Sequence, residues 1–249
     1  MLYRSEARGI GFIEGGNGNP YKVMKLLSFA IPCYNSAAYM EKCIQSVLAG
    51  GEDVEVIIVD DGSTKDETAK IADEYAAKYP TIVKAVHQEN GGHGQAVNTG
   101  LAHATGKYFK VVDSDDWVDL KSYRRVLATL KKFDEAEEPD MVIANYVYEK
   151  VGAKRKKVIH YDNVFPEETL FTWNDIGHFK MDQYILMHTV IYKTELLKNV
   201  DCSCQNIHFM WITFLYLNRC RMLRKCIISI RIFTAILSAG MTSLSMRRS

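Results

Sequence analysis

"VEVIIVDDGSTKDETAKIADEYAAKY", residues 54–79, decides the fold. Residues 54–60 form an apolar, β-branched run of strand length. The "DGS" that follows is turn chemistry. Residues 63–79 then read as a helix with an acidic first turn, which suits the positive end of a helix dipole. A buried strand, a polar loop and a helix in immediate succession are half of a strand–helix–strand unit.

Working outward, the same alternation continues in both directions. Upstream, "LLSFAIP" (26–32) is a buried strand ended by proline. "SAAYMEKCIQSVLAG" (36–50) is a helix with Ser36 as its expected N-cap and Met40, Ile44, Val47 and Leu48 at helical spacing. Downstream come a strand at 81–87, a helix at 94–106, a strand at 107–113, a helix at 120–133 and a strand at 140–150. This order predicts an α/β domain, a mostly parallel sheet between helix layers. Right-handed crossovers put the C-terminal ends of the strands on one edge, where ligands bind. The polar loops "PCYN", "DDGST", "QENGGHGQ" and "DSDDW" all fall on that edge.

With 249 residues, 47% hydrophobic, the chain accommodates one substantial domain, alone or with an appendage. A net charge of +1 gives no global attraction to nucleic acid. Six scattered cysteines and no secretory signal make a reducing cytoplasm the expected setting. The 13-residue apolar stretch 227–239 is too short, and with Arg231 too polar, for a spanning helix. Residues 1–23 are rich in Gly and Asn and are expected to be a disordered leader, with Met24 as the expected natural start. All 30 acidic residues lie in the first 201, which carry −6, while the rest carries +7. The chain therefore divides into a leader (1–23), a domain (24–200) and a basic tail (201–249).

The acids of "VVDSDDW" (111–117) repel one another unless something positive joins them. Helix capping and solvation is one reading, with Asp119 and Asp116 at the next helix start. The other is a hard divalent cation, Mn²⁺ or Mg²⁺, shared with a phosphate. Asp60 and Asp61 at the neighbouring strand end favour the second, since carboxylates there suit the donors of a base or ribose. "NGGHG" (90–94) lets backbone approach a ligand. It is neither a Walker loop nor a dinucleotide fingerprint. His93 is either a ligand contact or a solvated loop residue. Tyr34 is either a stacking platform or core. Asn98 and Thr99 cap the helix or face the crevice.

"FAIPCYN", "VIIVDDGSTKDET" and "QENGGHGQAVNTGLAHATGKYFKVVDSDDW" resemble, in order and spacing, the family 2 glycosyltransferases of GT-A fold. The resemblance covers about residues 24–200. "LMHTVIYKTELL" (186–197) is similar to the segment after the core in the polysaccharide-building branch. The resemblance implies inverting, metal-dependent transfer of a sugar, typically from a UDP-sugar, to a glycan or lipid-linked acceptor, in the cytoplasm or at the inner membrane face. It places Pro32, Tyr34 and Asn35 in the nucleotide pocket, Tyr34 stacking on the base. Asp61 accepts from the base and Asp60 supports the loop. Gly92, His93, Asn98 and Ser114 line the nucleotide-sugar site. Asp113 contacts the ribose or the metal, and Asp115 is the direct ligand of Mn²⁺ or Mg²⁺. Val97 stands where many members carry arginine.

The resemblance also implies a general base in an acidic motif after "YKTELL", yet no acid follows Asp201. Asp182 is the nearest candidate and precedes the expected place. A frameshift accounts for this. Read one base earlier, Met210-Trp211 must give Val and Trp211-Ile212 must give Asp. The flanks permit Pro-Lys-His-Thr-Phe-Tyr-Val-Asp-Asn, which resembles the missing segment. The shift on residues 240–247 permits Asp-Asp-Gln-Ser-Val-Asn-Glu, its second Asp forced. The tail from about residue 199 therefore reads as out of frame, and the C-terminal part of the fold as incomplete. Such a tail is expected to pack badly. A zinc site from Cys202, Cys204, Cys220 and Cys226 fits no common spacing. A basic membrane-binding tail, giving peripheral membrane association, is the other alternative. The competing functions are a nucleotide-sugar-binding chain without transfer, and a nucleotidyltransferase, which lacks its basic glycine-rich loop here.

Overall fold

The computed structural model describes residues 24–133, 138–148, 157–172, 174–181, 183, 185–199, 232–235 and 239–241. The expected leader, Asp182 and most of the tail, including Cys202, Cys204, Cys220 and Cys226, lie outside these residues.

The first half alternates as its hydrophobic pattern dictates. Strands β1 (Leu27–Cys33), β2 (Val54–Asp61), β3 (Val83–Gln88) and β4 (Tyr108–Val111) are joined through helices α1 (Met40–Leu48), α2 (Thr68–Lys78) and α3 (His93–His103). β1 pairs in parallel with β2 and β4, and β2 with β3. Adjacent strand residues point to opposite faces, and the core divides accordingly. Phe29, Ile31, Val56 and Ile58 pack with Met40 and Ile44 of α1 and Ala72 of α2. Ala30, Ile57 and Val59 face Ala96 and Val97 of α3. Helix α3 lies so close to β1 that a Cβ on Gly100 would come within 2.5 Å of the Ala30 Cβ.

The second half departs from simple alternation. A short strand β5 (Trp117–Val118) leads into α4 (Leu120–Leu130), capped by Asp119, whose carboxylate accepts from the Ser122 amide at 2.9 Å. The run expected as one strand at 140–150 divides at Asn145 into β6 (Met141–Ala144) and β7 (Tyr146–Tyr148). Strands β8 (Lys157–Ile159) and β9 (Leu170–Phe171) follow, then β10 (Val190–Lys193) and α5 (Thr194–Asn199). β6 does not lie beside β4. Instead β10, from the "LMHTVIYKTELL" segment, inserts between them, antiparallel to both. Two tail segments, β11 (Ile232–Ala235) and β12 (Ala239–Met241), are strands; β11 joins β6 and β9, and β12 joins β5 and β7. The larger sheet runs β3-β2-β1-β4-β10-β6-β11-β9.

At the edge opposite the polar loops, Glu55 is buried as a staple. Its carboxylate accepts from the Ser28 hydroxyl (2.6 Å), the Thr105 and Gly106 amides and the Lys84 ammonium (2.8 Å). Burial alone would raise its pKa, but Lys84, Ser28 and Thr105 outweigh that and hold it down at about 2.

Candidate functional site

The four loops expected to converge do so, and their side chains mostly hold one another. Asn35 adopts a left-handed backbone (φ 49) at the end of β1. Its amide donates to Ser63 Oγ (2.9 Å), and its Oδ1 accepts from the amides of Thr64 and Lys65. It therefore pins the first loop to "DDGST". Ser36, expected to cap α1, does something else. The N-cap is Tyr39, and Ser36 Oγ lies 3.0 Å from Ser114 Oγ, tying the first loop to the acidic loop. The acids expected in the first turn of a longer α2 precede it instead; Asp66 accepts from both the amide and hydroxyl of Thr68.

Asp60 and Asp61 are buried, 4% and 3% exposed, so their partners matter. Asp60 accepts from the Ser63 amide and lies 3.1 Å from His87 Nδ1. Hydrogen bonds to Asp73 and Asp60 raise the pKa of His87. Asp61 faces the glycine loop. Oδ1 accepts from Gln88 Nε2 (2.7 Å) and the Gly91 amide (2.8 Å), and Oδ2 from the Gly92 amide (2.8 Å). A carboxylate has about four acceptor sites, so three are used here. Gly62 (φ 70) is required by this packing, since a Cβ there would lie 2.8 Å from the Asn90 amide. At Gly92 (φ 85), the N-cap of α3, a Cβ would meet open space.

Pro32 is buried in β1, opposite Val59. Tyr34 is 40% exposed at the rim, so it is not core. Asn98 sits on an exposed position of α3. Ser114 is buried, its hydroxyl turned toward Ser36 rather than outward. Asp115 lines a groove of about 280 Å³ with Ala37, Ala38, Tyr39, Glu41, Lys42 and Trp117, where the Lys42 ammonium covers the Trp117 ring. Asp113 is joined to the glycine loop. His93 Nε2 is 2.9 Å from its Oδ1.

Sequence reasoning missed two residues here. Lys110 occupies an interior position of β4 and is 2% exposed. Its ammonium donates to the His188 carbonyl at 2.7 Å. Burial lowers its pKa to about 8, against the opposing pull of Asp116 and Asp113. His188 belongs to a short turn, Met187–Thr189, that precedes β10. Its Nδ1 is 3.4 Å from Asp116 Oδ2 and its Nε2 is 3.9 Å from Asp113 Oδ2. One ligand atom each from Asp113, Asp116 and His188 lie within 4.8 Å of one another. A lysine in the otherwise apolar run "YFKVV" was the available signal for the first. For the second it was a histidine immediately before a buried strand.

The repulsion among the acids is thus met from within the chain by Lys110 and His93. Burial works against ionisation of Asp113, but His93, His188 and Lys110 outweigh it and lower its pKa. Burial also disfavours charge on His93, and Asp113, Asp61 and Asp115 reverse the sign and raise its pKa. For His188 burial prevails and the pKa falls. Two carboxylates and an imidazole at the end of a parallel sheet form a donor set that fits a divalent cation.

The profile of "Glycosyl transferase family 2" matches residues 28–195, which include every loop just described. The chain belongs to glycosyl transferase family 2. It is similar to the uncharacterized glycosyltransferase EpsJ of Bacillus subtilis, 34% identical over 138 residues, covering 55% of this chain and 38% of EpsJ. Its fold is the GT-A fold of S. aureus TarS, with a TM-score of 0.62 at 23% identity, over 87% of this chain and 60% of the TarS 1–349 chain. TarS has also been crystallised with UDP and with UDP-GlcNAc. The mannosyltransferase PcManGT of Pyrobaculum calidifontis, in complex with GDP-Man and Mn²⁺, matches with a TM-score of 0.54 at 17% identity, over 86% of this chain and 57% of that one. The family 2 chain thus spans less than two thirds of each of these proteins. Among its described residues no helix is long and apolar enough to cross a membrane.

Proposed function

We propose that the chain binds a UDP-sugar together with Mn²⁺ or Mg²⁺ and transfers the sugar, with inversion, to a glycan or lipid-linked acceptor, in the cytoplasm or at the inner membrane face. The observation that carries this is the joining of Asp61, the Gly91–Gly92 amides, His93 and Asp113 into one rim at the strand ends, where Tyr34 is exposed at the end of β1. In this reading Tyr34 stacks on the base, and Asp61 uses its fourth acceptor site for a base N–H. Gly92 leaves room for the sugar-diphosphate, and Asp113 and Asp115 hold the cation. When bound, the cation supplies Lewis-acid charge to the departing diphosphate. The protein's part is to align donor and acceptor and to hold those acids ionised. The nucleotide complexes of TarS and the Mn²⁺ complex of PcManGT support the donor and metal classes.

The test is calorimetry of UDP with and without Mn²⁺. Binding that requires the cation, and that is lost in Asp115→Ala, is expected; cation-independent binding or an unchanged variant overturns the reading. A second reading, a nucleotide-sugar-binding chain without transfer, is favoured by the absence of Asp and Glu after Asp201. It also follows from an out-of-frame tail. Incubation with UDP-sugar and measurement of sugar transfer separates the two.

A further inference from the structure

We propose that His87 is a positioning residue for the nucleotide: as an imidazolium it ties the loop after β2 to α2, and nucleotide affinity follows its protonation. This rests on the reading of the loop edge as a nucleotide site, and adds a residue that acts through Asp60. Three observations carry it. First, both ring nitrogens face carboxylates. Nδ1 is 3.1 Å from Asp60 Oδ2 and Nε2 is 3.0 Å from Asp73 Oδ1. A carboxylate only accepts, and a neutral imidazole has one N–H, so both contacts are hydrogen bonds only in the imidazolium. Second, the two carboxylates belong to different elements. Asp60 closes β2 and is buried, whereas Asp73 lies in α2 and is exposed. Third, Asp60 passes the hold on. Its Oδ1 accepts from the Ser63 amide (3.1 Å), Ser63 Oγ accepts from the Asn35 amide (2.9 Å), and Asn35 follows the exposed Tyr34. The next residue of β3, Gln88, donates to Asp61 (2.7 Å), so consecutive residues of one strand hold both acids of the loop.

The charged groups facing the ring are Asp60 from β2 and Asp73 from α2. Of the other charges on these elements, Lys84 of β3 pairs with Glu55 (2.8 Å), Lys70 of α2 pairs with Glu67 (3.3 Å) and Lys78 covers the Tyr79 ring. Asp66, just before α2, is taken by Thr68 and the Ala37 amide. The hydrogen bonds to Asp73 and Asp60 raise the His87 pKa above its ordinary 6.5, against burial. The tie is therefore complete at pH 6 and is lost as pH rises through the folded value, and nucleotide affinity falls over the same interval. Linkage makes the effect reciprocal: nucleotide bound to the tied loop makes His87 hold its proton more tightly.

The experiment uses the full chain with Mg²⁺ and reads UDP affinity by calorimetry from pH 6 to 8.5. Nuclear magnetic resonance of the chain carrying ¹⁵N-histidine follows each ring, and His87→Gln assigns the His87 signal. At pH 6 His87→Gln is expected to bind UDP roughly 3–10-fold more weakly than the unsubstituted chain. That ratio is expected to shrink toward one as His87 loses its proton, which a merely structural role would not produce. In the unsubstituted chain, saturating UDP is expected to move the His87 midpoint upward by about half to one pH unit, the same fold-change read from the proton's side. Asp73→Asn, on the exposed side of the ring, is expected to lower that midpoint and to carry the fall in UDP affinity to lower pH with it. A His87 midpoint at or below 6.5, a midpoint that UDP leaves in place, or an affinity ratio that is constant with pH overturns the proposal. If that occurs while UDP still binds and Asp115→Ala abolishes its cation-dependent binding, the site reading stands and only His87 is withdrawn. If UDP binds at no pH, both fall.

Discussion

The ammonium of Lys110 donates a hydrogen bond to the carbonyl of His188 across 2.7 Å, joining the strand before the acidic loop to the turn before β10. Both ends are buried or nearly so, and the bond is charge-assisted. Lys110→Met keeps the volume but leaves that carbonyl without its donor and removes a positive charge facing Asp113 and Asp116. The variant is expected to lose about 1–3 kcal/mol in urea unfolding at neutral pH. Unchanged stability would mean that compensation of the acids does not depend on Lys110.

Tyr34 separates binding from folding. Its ring is exposed, so Tyr34→Ala is expected to leave stability within about 0.5 kcal/mol. If the ring stacks on the base, UDP binding weakens by roughly 1–3 kcal/mol. Thermal melting and calorimetry on the same sample check both halves. Equal UDP affinity removes Tyr34 from the site.

The glycines of two adjoining loops are tested separately. Gly62 and Gly92 both have positive φ, so alanine at either strains the backbone by roughly 1–3 kcal/mol. At Gly62 the new methyl also meets the Asn90 amide; at Gly92 it meets nothing, but the backbone (φ 85, ψ 166) lies where essentially only glycine is found. Gly62→Ala and Gly92→Ala are therefore each expected to lower the unfolding midpoint. An unchanged midpoint in Gly62→Ala would show that the 88–92 loop yields freely.

Glu55 sets an acid limit. Its folded pKa, about 2, lies below the ordinary 4.5. A depressed carboxylate contributes stability that is fully present above its unfolded pKa and is lost as pH falls through the folded value. The loss therefore spans pH 4.5 down to about 2, and is on the order of 2–3 kcal/mol. Glu55→Gln is expected to be less stable at pH 6 and to lose less between pH 5 and 2.5. Parallel slopes for the two proteins would assign the acid sensitivity elsewhere.

The first half of the fold and its loop cluster could be read from residues alone, because strand and helix there alternate with short, polar connections. What could not be read was the second half. The run 140–150 carries one apolar pattern, and nothing in it marks the division at Asn145. The pairing of β10 with β4 joins residues some eighty apart, a long-range choice that periodicity does not encode. The site followed the same line. Asp60, Asp61, His93 and Asp113 sit in or at the edges of polar segments whose composition announces them. Ser36 looked like a helix cap because local spacing cannot show that Ser114 competes for its hydroxyl. Lys110 and His188 escaped because their roles exist only once β10 has been placed.

That late insertion has a consequence for synthesis. The outer edge of β4 is complete once residue 111 has emerged, but its partner β10 begins only at Val190. At a translation rate of about 5–20 residues per second, the nascent chain spends roughly 4–16 s with a formed half-sheet and an unpaired strand edge. Open edges recruit other chains. Ribosomes stalled between residues 111 and 190 should therefore hold the species most prone to aggregate and most dependent on chaperones.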